Sequence, residues 1–372
     1  MQHAETIIIG AGPAGLACAA ALQEVGLPTT VIEQADKVGA SWRKHYDRLH
    51  LHTTRRQSGL PGLPMPASFP RYPAREQVVA YLEEYAAHHR IAPRFGMQAQ
   101  RITRPGIWRV ETSGQDLAAD NVIVASGIAG WPQRAEWPGK ERFAGRMLHS
   151  SEYANAKPFA GARVLVAGFG NSGGEIAMDL ANGGVDVSLS VRSPVNILPR
   201  ELFGMSVIDW AILQQPIPYR LMDVLNTPLL RFVIGDLGKL GLRKSPKGPL
   251  AQIIEDRKIP VLDVGTVDLI RQGSIKVRRG IERVEATQVQ FVGGATAPFD
   301  VIIEATGYRP DLRSLLPDHR DVLDASFGPK VCGKATGHAG LFFCGHIPVA
   351  TGQLREIGIE ARRIASLIRS PG

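Results

Sequence analysis

The sequence predicts an α/β protein with two Rossmann-like dinucleotide-binding domains, the second inserted in the first. A G-x-G-x-x-G turn occupies residues 10–15, and a related glycine-rich turn occupies residues 168–173. Each turn lies between a β-branched apolar run and a run of helix formers, which is the strand, turn and helix order of dinucleotide-binding folds. The turns, and the glycines that end the helices after them, share one offset of 158 residues (168 − 10 and 184 − 26). A constant offset indicates two related units.

The first unit begins with residues 6–9, a β-branched run that predicts a buried strand. Residues 16–25 predict a helix that stops at Gly26, and residues 29–32 predict a second strand that ends on Glu33. Later strands are predicted at 122–127 and 301–307, and a helix at 76–89. The first strand, the helix and the second strand form one βαβ half-unit of the kind with which a nucleotide-binding fold begins.

The residues of the first turn each suit a dinucleotide. Gly10 allows the tight turn, Gly12 lets the backbone approach a pyrophosphate, and Gly15 lets helix and strand pack closely. The helix N-terminus offers unpaired N–H groups and a positive dipole end to the phosphates. Glu33, followed by Gln34, is placed to accept hydrogen bonds from the adenosine ribose.

The second turn contains Gly168, Gly170, Ser172 and Gly173 between a strand at 163–167 and a helix that extends to 181, and it differs from the first in the residues after the next strand. With the offset of 158, Glu33 corresponds to Val191 and Gln34 to Arg192 (34 + 158). A carboxylate there would repel a ribose 2′-phosphate, whereas a guanidinium and a hydroxyl bind it. The candidates are Arg192, Ser193 and Arg200, and they predict a preference for NADPH over NADH.

Composition excludes several other classes of function. The net charge is +8, but lysine and arginine are scattered and no nucleic-acid-binding motif occurs, so we expect no nucleic-acid partner. The three cysteines form neither a C-x-x-C pair nor a cluster with histidine, so we expect no disulfide framework and no metal. Residues 207–235 are apolar but interrupted by charges and prolines, so we expect no membrane span, and we favour packing on the core over lining an apolar entrance. The scarcity of cysteine fits a cytoplasmic location. The sequence leaves open whether the protein forms a homodimer.

Two dinucleotide sites in one chain suggest electron transfer from NADPH to a bound flavin. Without a redox-active cysteine pair, the sequence leaves oxygen, a quinone or a small electron carrier as the acceptor. The linker at residues 143–153 fits F-x-G-x-x-x-H-x-x-x-Y, and residues 305–308 read A-T-G-Y. Both segments resemble the flavin-containing monooxygenases, the class B flavoprotein monooxygenases. Residues 191–201, 248–250 and 260–265 look like the YUCCA branch, whose members convert indole-3-pyruvate to indole-3-acetate.

The resemblance implies a flavoprotein with FAD in a domain of residues 1–155 and 297–372, and NADPH in a domain of residues 156–296. It further implies an oxidoreductase that uses a flavin C4a-hydroperoxide to insert one oxygen atom of O2 into a small molecule. The expected reaction is oxidative decarboxylation of indole-3-pyruvate or a similar 2-oxo acid, or oxygenation of a thioether, amine or ketone. The rival is an NADPH-dependent flavin oxidoreductase that passes electrons to a quinone, a protein partner or oxygen without oxygenation. A nucleotide-binding redox sensor is the second rival.

The resemblance also implies individual contacts, and it makes His149 of the linker mostly architectural. Residues expected at the flavin or the nucleotides are Trp42, Leu49, His50, Ala99, Tyr72, Thr306, Gly307, Gly345 and Gln353. Many family members carry an asparagine beside the flavin after the Leu49 region, but residues 51–57 contain none. Stabilisation of the oxygenating species is therefore expected from Thr53, Asn171 or the bound nicotinamide.

Overall fold

The computed structural model describes residues 2–370, which form a mixed α/β structure. The strands, numbered in chain order, are β1 Gln2–Ile9, β2 Thr29–Ile32, β3 Ala99–Thr103, β4 Trp108–Thr112, β5 Leu117–Val124, β6 Arg146–His149, β7 Arg163–Ala167, β8 Asp186–Val191, β9 Ile197–Pro199, β10 Glu201–Leu202, β11 Met205–Ser206, β12 Val261–Asp263, β13 Ile275–Arg279, β14 Ile281–Val284, β15 Gln288–Phe291, β16 Thr296–Pro298, β17 Val301–Glu304 and β18 Leu341–Phe343.

The α-helices are α1 Pro13–Glu24, α2 Ala40–Arg43, α3 Arg75–His88, α4 Asn171–Asn182, α5 Val207–Leu213, α6 Tyr219–Ile234, α7 Pro249–Asp256, α8 Thr266–Arg271 and α9 Gln353–Arg369. Short 3₁₀ segments are Arg55–Gln57, Lys140–Arg142, Ser150–Glu152, Lys157–Phe159, Leu237–Leu240 and Arg320–Val322.

The chain divides into two compact units. The first unit contains residues 1–44, 53–131 and 308–372, and the second contains residues 45–52 and 132–307. The sequence-based boundaries differ from this division at residues 45–52, 132–155 and 297–307. Residues 132–155 and 297–307 belong to the second unit because β17 pairs with both β6 and β7 in its sheet.

The first unit is built on a sheet of order β2-β1-β5-β4-β3. β1 pairs in parallel with β2 and β5, β18 runs parallel to the end of β5, and β3 and β4 pair antiparallel. The isoleucines at 7–9 are buried, as expected of a strand covered on both faces. Helices α1 and α9 pack against each other, so the C-terminal helix lies beside the helix that follows the first glycine turn.

The second unit is built on a fully parallel sheet of order β13-β8-β7-β17-β6. β7, which precedes the second glycine turn, is flanked by β8 and β17, and ligands bind at the carboxyl edge of such parallel sheets. A separate antiparallel sheet contains β14, β15 and β16. Its core includes Val289 and Phe291, which are buried with Leu165 of β7.

The predicted fold class is confirmed. Helices α1 and α4 begin 158 residues apart (171 − 13) and also end 158 residues apart (182 − 24), so the offset found in the sequence is a repeat of the βαβ element. Strands β2 and β7 begin and end where the sequence predicts, whereas β17 begins as predicted at Val301 but ends at Glu304, three residues before the predicted end. Both helices start three to four residues earlier than predicted, because the G-x-x-G half of each turn is already helical.

Residues 207–235 form α5 and α6, but the expectation that they pack on the core is wrong for most of them. In α6 only Met222, Asp223 and Ile234 are buried, whereas Val224 is 68% and Phe232 is 88% exposed. An apolar composition predicts a helix but not which of its faces is covered. Among residues 2–370, no helix has both the length and the apolar character that crossing a bilayer requires.

Candidate nucleotide-binding sites

The first glycine turn joins β1 to α1. Gly10 has φ +111°, and a Cβ on it would lie 2.7 Å from the carbonyl oxygen of Ala125. A Cβ on Gly15 would overlap the carbonyl oxygen of Gly10, whereas one on Gly12 would meet no atom within 4 Å. Two glycines are thus needed for the turn and its packing, and the third keeps open the space where a phosphate would approach the helix N-terminus.

Glu33, at the end of β2, is tied to this turn. Its Oε2 accepts a hydrogen bond from the Ala11 backbone N–H at 2.7 Å, and its Oε1 accepts one from Ala35 at 2.9 Å. The carboxylate therefore lies beside the turn, and it holds the backbone N–H that precedes Gly12. Contact of Glu33 and its neighbour Gln34 with a ribose remains a prediction.

The segments predicted at the adenine and at the flavin are joined to the same turn. The N–H of Gly39, which precedes α2 and its Trp42, donates to the Ala11 carbonyl oxygen at 3.0 Å. The Met97 N–H donates to the carbonyl oxygen of Glu33 at 2.9 Å, and β3 starts two residues later at Ala99. The structure therefore brings α2 and the start of β3 to the first turn.

Gly345 follows β18 and contacts the first turn of α1. Its φ is +78°, a Cβ on it would lie 3.0 Å from the Ala14 Cβ, and its N–H donates to Glu360 Oε2 at 2.7 Å. Gln353 is the first residue of α9. Its Nε2 is shielded from solvent and has no hydrogen-bond partner among residues 2–370. A buried donor left unsatisfied by the protein is what a bound heterocycle would satisfy.

Thr53 is buried, and hydrogen bonds occupy its hydroxyl. Ser58 Oγ donates to the Thr54 carbonyl oxygen at 2.9 Å, so its own proton is used. The 2.7 Å hydrogen bond between the Thr53 and Ser58 hydroxyls is then donated by Thr53. Thr53 can accept a further hydrogen bond in this arrangement, but its proton is engaged.

Two other predicted residues lie in different surroundings. His50 is exposed, and its Nδ1 lies 2.6 Å from the Arg48 carbonyl oxygen. Tyr72 is buried, and the guanidinium of Arg71 stands 5.7 Å from the centre of its ring. Neither observation tests their predicted contacts with a nucleotide.

The second glycine turn repeats the geometry of the first. Gly168 has φ +116°, and a Cβ on it would lie 2.5 Å from the Ala305 carbonyl oxygen. A Cβ on Gly173 would overlap the carbonyl oxygen of Gly168, and one on Gly170 would meet nothing within 4 Å. The two turns therefore offer the same kind of site, each at the N-terminus of a 12-residue helix.

Asn171 begins α4, and its side chain is engaged with β12. Its Oδ1 accepts a hydrogen bond from the Leu262 N–H at 2.7 Å. The contact ties the middle of β12 to the second turn and leaves the Asn171 amide N–H groups as donors. A place beside the nicotinamide remains a prediction for this residue.

Arg192 follows β8 and is exposed, and a second arginine joins it. Arg243 donates from Nη2 to the Arg192 carbonyl oxygen. The sequence indicated Arg192 but missed Arg243, because 51 residues separate them. Of the other two candidates, Ser193 is half-buried, and the Arg200 carbonyl oxygen accepts from the Val207 N–H at 3.0 Å.

A buried carboxylate beside the second turn was also missed. Glu175 of α4 accepts a hydrogen bond from His52 Nε2 at 2.8 Å, and its side chain is only 6% exposed. Burial, and then the Glu175 carboxylate, raise the pKa of Tyr46 well above its usual range. The only sequence indication was Glu175 itself, the first acid after the glycine turn.

The linker motif is architectural, as the resemblance implied. His149 Nδ1 accepts from the Ser151 N–H at 3.1 Å, so Nε2 carries the proton and donates to the Gly307 carbonyl oxygen at 3.1 Å. Burial lowers the pKa of His149, which keeps the imidazole neutral. Thr306 donates from Oγ1 to the Gln133 carbonyl oxygen. The turn after β17 is thus held by the end of β6.

The other motif positions also have packing roles. Phe143 packs against the core around Phe299, and a Cβ on Gly145 would overlap the Asp300 carbonyl oxygen. Tyr153 donates to Asp179 Oδ2 of α4 at 2.6 Å. The motif is therefore a structural element of the second unit.

Cysteine chemistry differs in one respect from the sequence analysis. The sequence spacing showed no cysteine pair, but Cys344 lies close to Cys18 in the structure, and its Sγ donates to the Ile357 carbonyl oxygen at 3.8 Å. The neighbouring Cys18 thiol and complete burial raise the pKa of Cys344 well above its usual range. Both residues are 0% exposed. A buried pair held as thiols does not exchange with a disulfide substrate.

Comparison with known proteins assigns the chain to a protein family. Residues 7–199 match the model of the pyridine nucleotide-disulphide oxidoreductase family. Indole-3-pyruvate monooxygenase YUCCA1 of Oryza sativa subsp. japonica is 42% identical over 322 residues, which are 85% of this chain and 79% of the relative. Indole-3-pyruvate monooxygenase YUCCA6 of Arabidopsis thaliana is 39% identical, over 84% of this chain and 78% of the relative. The chain belongs to the YUCCA-type flavin monooxygenase family.

Solved structures agree with this assignment. The flavin-containing monooxygenase from Stenotrophomonas maltophilia is 25% identical with a TM-score of 0.75, over 99% of both chains. A double variant of the flavin monooxygenase from that organism gives a TM-score of 0.77 over 99% of this chain and 98% of that chain. The chain is accordingly an oxidoreductase of the flavin monooxygenase type, as predicted. Family membership implies FAD and NADPH as its cofactors, in agreement with the prediction from the two turns.

Proposed function

We propose that the protein is an FAD- and NADPH-dependent monooxygenase that converts indole-3-pyruvate, or a closely similar 2-oxo acid, by oxidative decarboxylation. The observation that carries the proposal is the pair of glycine turns with one geometry, in a chain 42% identical to an indole-3-pyruvate monooxygenase. Two turns supply two nucleotide sites, and the family supplies the oxygen chemistry.

FAD is assigned to the first unit. The open position at Gly12 and the N-terminus of α1 suit the pyrophosphate, and Glu33 and Gln34 suit the ribose. The unsatisfied Nε2 of Gln353 suits a carbonyl or ring nitrogen of the flavin. When bound, the flavin supplies hydride acceptance and oxygen activation, which no side chain of the protein can supply.

NADPH is assigned to the second unit. The pyrophosphate would lie at Gly170 and the N-terminus of α4, with Ser172 and Gly173 completing the turn. The ribose 2′-phosphate would lie at Arg192 and Ser193, where Arg243 adds a second guanidinium. Arg200 and Tyr72 are two further candidates for contact with the same nucleotide. We propose Asn171 as a donor near the nicotinamide, because its amide N–H groups remain available.

The protein's own contribution to catalysis is binding, orientation and exclusion of water. Two residues, Thr53 and Asn171, are proposed as catalytic. Because the Thr53 hydroxyl can accept but not donate a further hydrogen bond, Asn171 is the better donor of the two. The wider range of thioether, amine and ketone substrates is kept as the alternative within the same chemistry. The homodimer and the cytoplasmic location also remain proposals.

Product analysis tests the proposal. The flavin-loaded protein is incubated with NADPH, O2 and indole-3-pyruvate, phenylpyruvate, a thioether or a ketone, and product, NADPH and peroxide are measured. We expect indole-3-acetate in an amount close to the NADPH consumed, with one atom of labelled O2 in the product. Peroxide equal to NADPH with no oxygenated product from any substrate would contradict the proposal and support the flavin oxidoreductase instead.

A further inference from the structure

A cluster of two histidines and one aspartate lies in the first unit, outside the residues assigned to FAD. It consists of His319 and Asp321, on either side of the start of the 3₁₀ segment Arg320–Val322, and of His338, three residues before β18. One ligand atom from each residue lies within 4.8 Å of the other two. His338 Nε2 and Asp321 Oδ2 are 2.8 Å apart. Three metal-ligating groups thus converge from two parts of one loop.

His319 is the unusual member of this cluster. Both of its ring nitrogens are shielded from solvent, and neither has a hydrogen-bond partner among residues 2–370. Its ring packs edge-on against Trp108, with ring centres 5.0 Å apart, and against His338 at 4.6 Å. Buried polar groups in proteins are nearly always paired, so an imidazole with two unpaired nitrogens requires an explanation.

We propose that His319, Asp321 and His338 bind one divalent transition-metal ion, with Zn²⁺ as the best fit. Two imidazole nitrogens and one carboxylate oxygen are typical Zn²⁺ ligands, and a water would complete a tetrahedral site. Bonds of about 2.0–2.2 Å place the ligand atoms of a tetrahedral ion roughly 3.4 Å apart. His338 Nε2 and Asp321 Oδ2 are closer than this, at 2.8 Å, and all three ligand atoms lie within 4.8 Å of one another. Side-chain rotations alone can therefore form the site.

The ion would close a loop. His319 and His338 are 19 residues apart (338 − 319), and the chain after His338 continues into β18 and then Gly345. Because the unfolded chain has no preformed site, an ion that joins the two ends of this loop would add its binding free energy to the stability of the folded chain. The site would therefore be structural, and it is independent of the proposed reaction.

Metal binding to the flavin-loaded, untagged full-length chain tests this proposal. After dialysis against a chelator, the protein is titrated with ZnCl2 in a calorimeter and, separately, with Co²⁺ in a visible absorption measurement. We expect one Zn²⁺ per chain and the visible bands of tetrahedral Co²⁺. Substitution of residues that only orient the ligands of a metal typically weakens metal affinity by about 10–100-fold. Because His338 and Asp321 would be ligands themselves, His338→Ala and Asp321→Asn should each weaken Zn²⁺ affinity by at least about 100-fold.

A matched control is present in the same unit. His3 Nε2 lies 3.4 Å from Asp120 Oδ1 on the surface, and no third metal-ligating side chain joins this pair among residues 2–370. His3→Ala should leave Zn²⁺ binding unchanged. The Asp321 side chain is 65% exposed, so Asp321→Asn preserves the fold even where a substitution of the buried His319 would not. The proposal is overturned by a wild-type protein that binds no Zn²⁺ or by Asp321→Asn and His338→Ala variants that bind it as tightly as the wild type.

Discussion

Gly173 on α4 packs directly against the carbonyl oxygen of Gly168, as Gly15 on α1 packs against Gly10. Gly170, between them in the second turn, borders open space instead. Gly173 is therefore needed because it lets the helix approach the strand, whereas Gly170 leaves open the space where we propose that a phosphate approaches the helix.

This difference predicts opposite outcomes for two similar substitutions. Gly173→Ala should destabilise the protein by about 1–3 kcal/mol, because its Cβ pushes α4 away from the turn. Gly170→Ala should change the free energy of unfolding by less than about 0.5 kcal/mol and weaken NADPH binding instead. Urea denaturation and NADPH titration measure the two effects. Equal loss of stability in both variants would contradict the difference in packing, and an unchanged NADPH affinity of Gly170→Ala would show that the open space at Gly170 has no role in binding.

Arg192→Ala should weaken NADPH binding and spare NADH. A hydrogen bond to a charged group contributes about 1.5–3 kcal/mol, so loss of the guanidinium should raise the dissociation constant of NADPH roughly tenfold or more. Titration of each nucleotide into the flavin-loaded variant gives the comparison. Arg142→Ala, an exposed arginine of the same unit with a side chain 77% exposed, serves as the control. Equal losses for NADPH and NADH would place the 2′-phosphate elsewhere.

Gln353→Met should separate stability from flavin binding. The change keeps the size of the side chain but removes a buried Nε2 that has no partner within the described chain. An unsatisfied buried donor costs about 1–3 kcal/mol, so the flavin-depleted variant should be at least as stable as the flavin-depleted wild type. Its affinity for FAD should fall. Unfolding of the depleted proteins and FAD titration test this, with the exposed Gln23→Met as a control. A variant that loses stability but keeps its FAD affinity would show that Gln353 is structural.

His346 should make stability depend on pH in the acid range. It is 3% exposed, and burial lowers its pKa to about 4, below the usual value of about 6.5. Between pH 6.5 and pH 4, His346 is therefore protonated in the unfolded chain but neutral in the folded chain. The stabilising contribution of the neutral imidazole is complete above pH 6.5 and is lost as the pH falls towards 4, at up to about 1.4 kcal/mol per pH unit.

Urea midpoints of the wild type and of His346→Gln, measured between pH 7 and pH 4.5, give this contribution as a difference. We expect the wild type to lose more stability than the variant over that range. Ser126, whose hydroxyl lies 3.2 Å from His346 Nε2, can hydrogen bond to the glutamine as well. Parallel pH dependence in the two proteins would contradict the assignment to His346.

The sequence by itself determined the two βαβ elements, their common offset and the family. Local rules are sufficient there, because a glycine turn between a β-branched strand and a helix has one geometry wherever it occurs. The packing roles of Gly10 and Gly15 were predictable for the same reason, and the structure shows them at both turns, whereas the approach of a phosphate at Gly12 stays a prediction.

Only the tertiary structure decided which distant groups meet. Arg243 joins Arg192, His52 joins Glu175, Cys18 meets Cys344, and His319 meets His338 across separations that no local pattern encodes. The exposed face of α6 was unpredictable for a related reason. Apolar periodicity fixes the helix, but burial depends on which other element covers it, and that is settled by the packing of the whole chain.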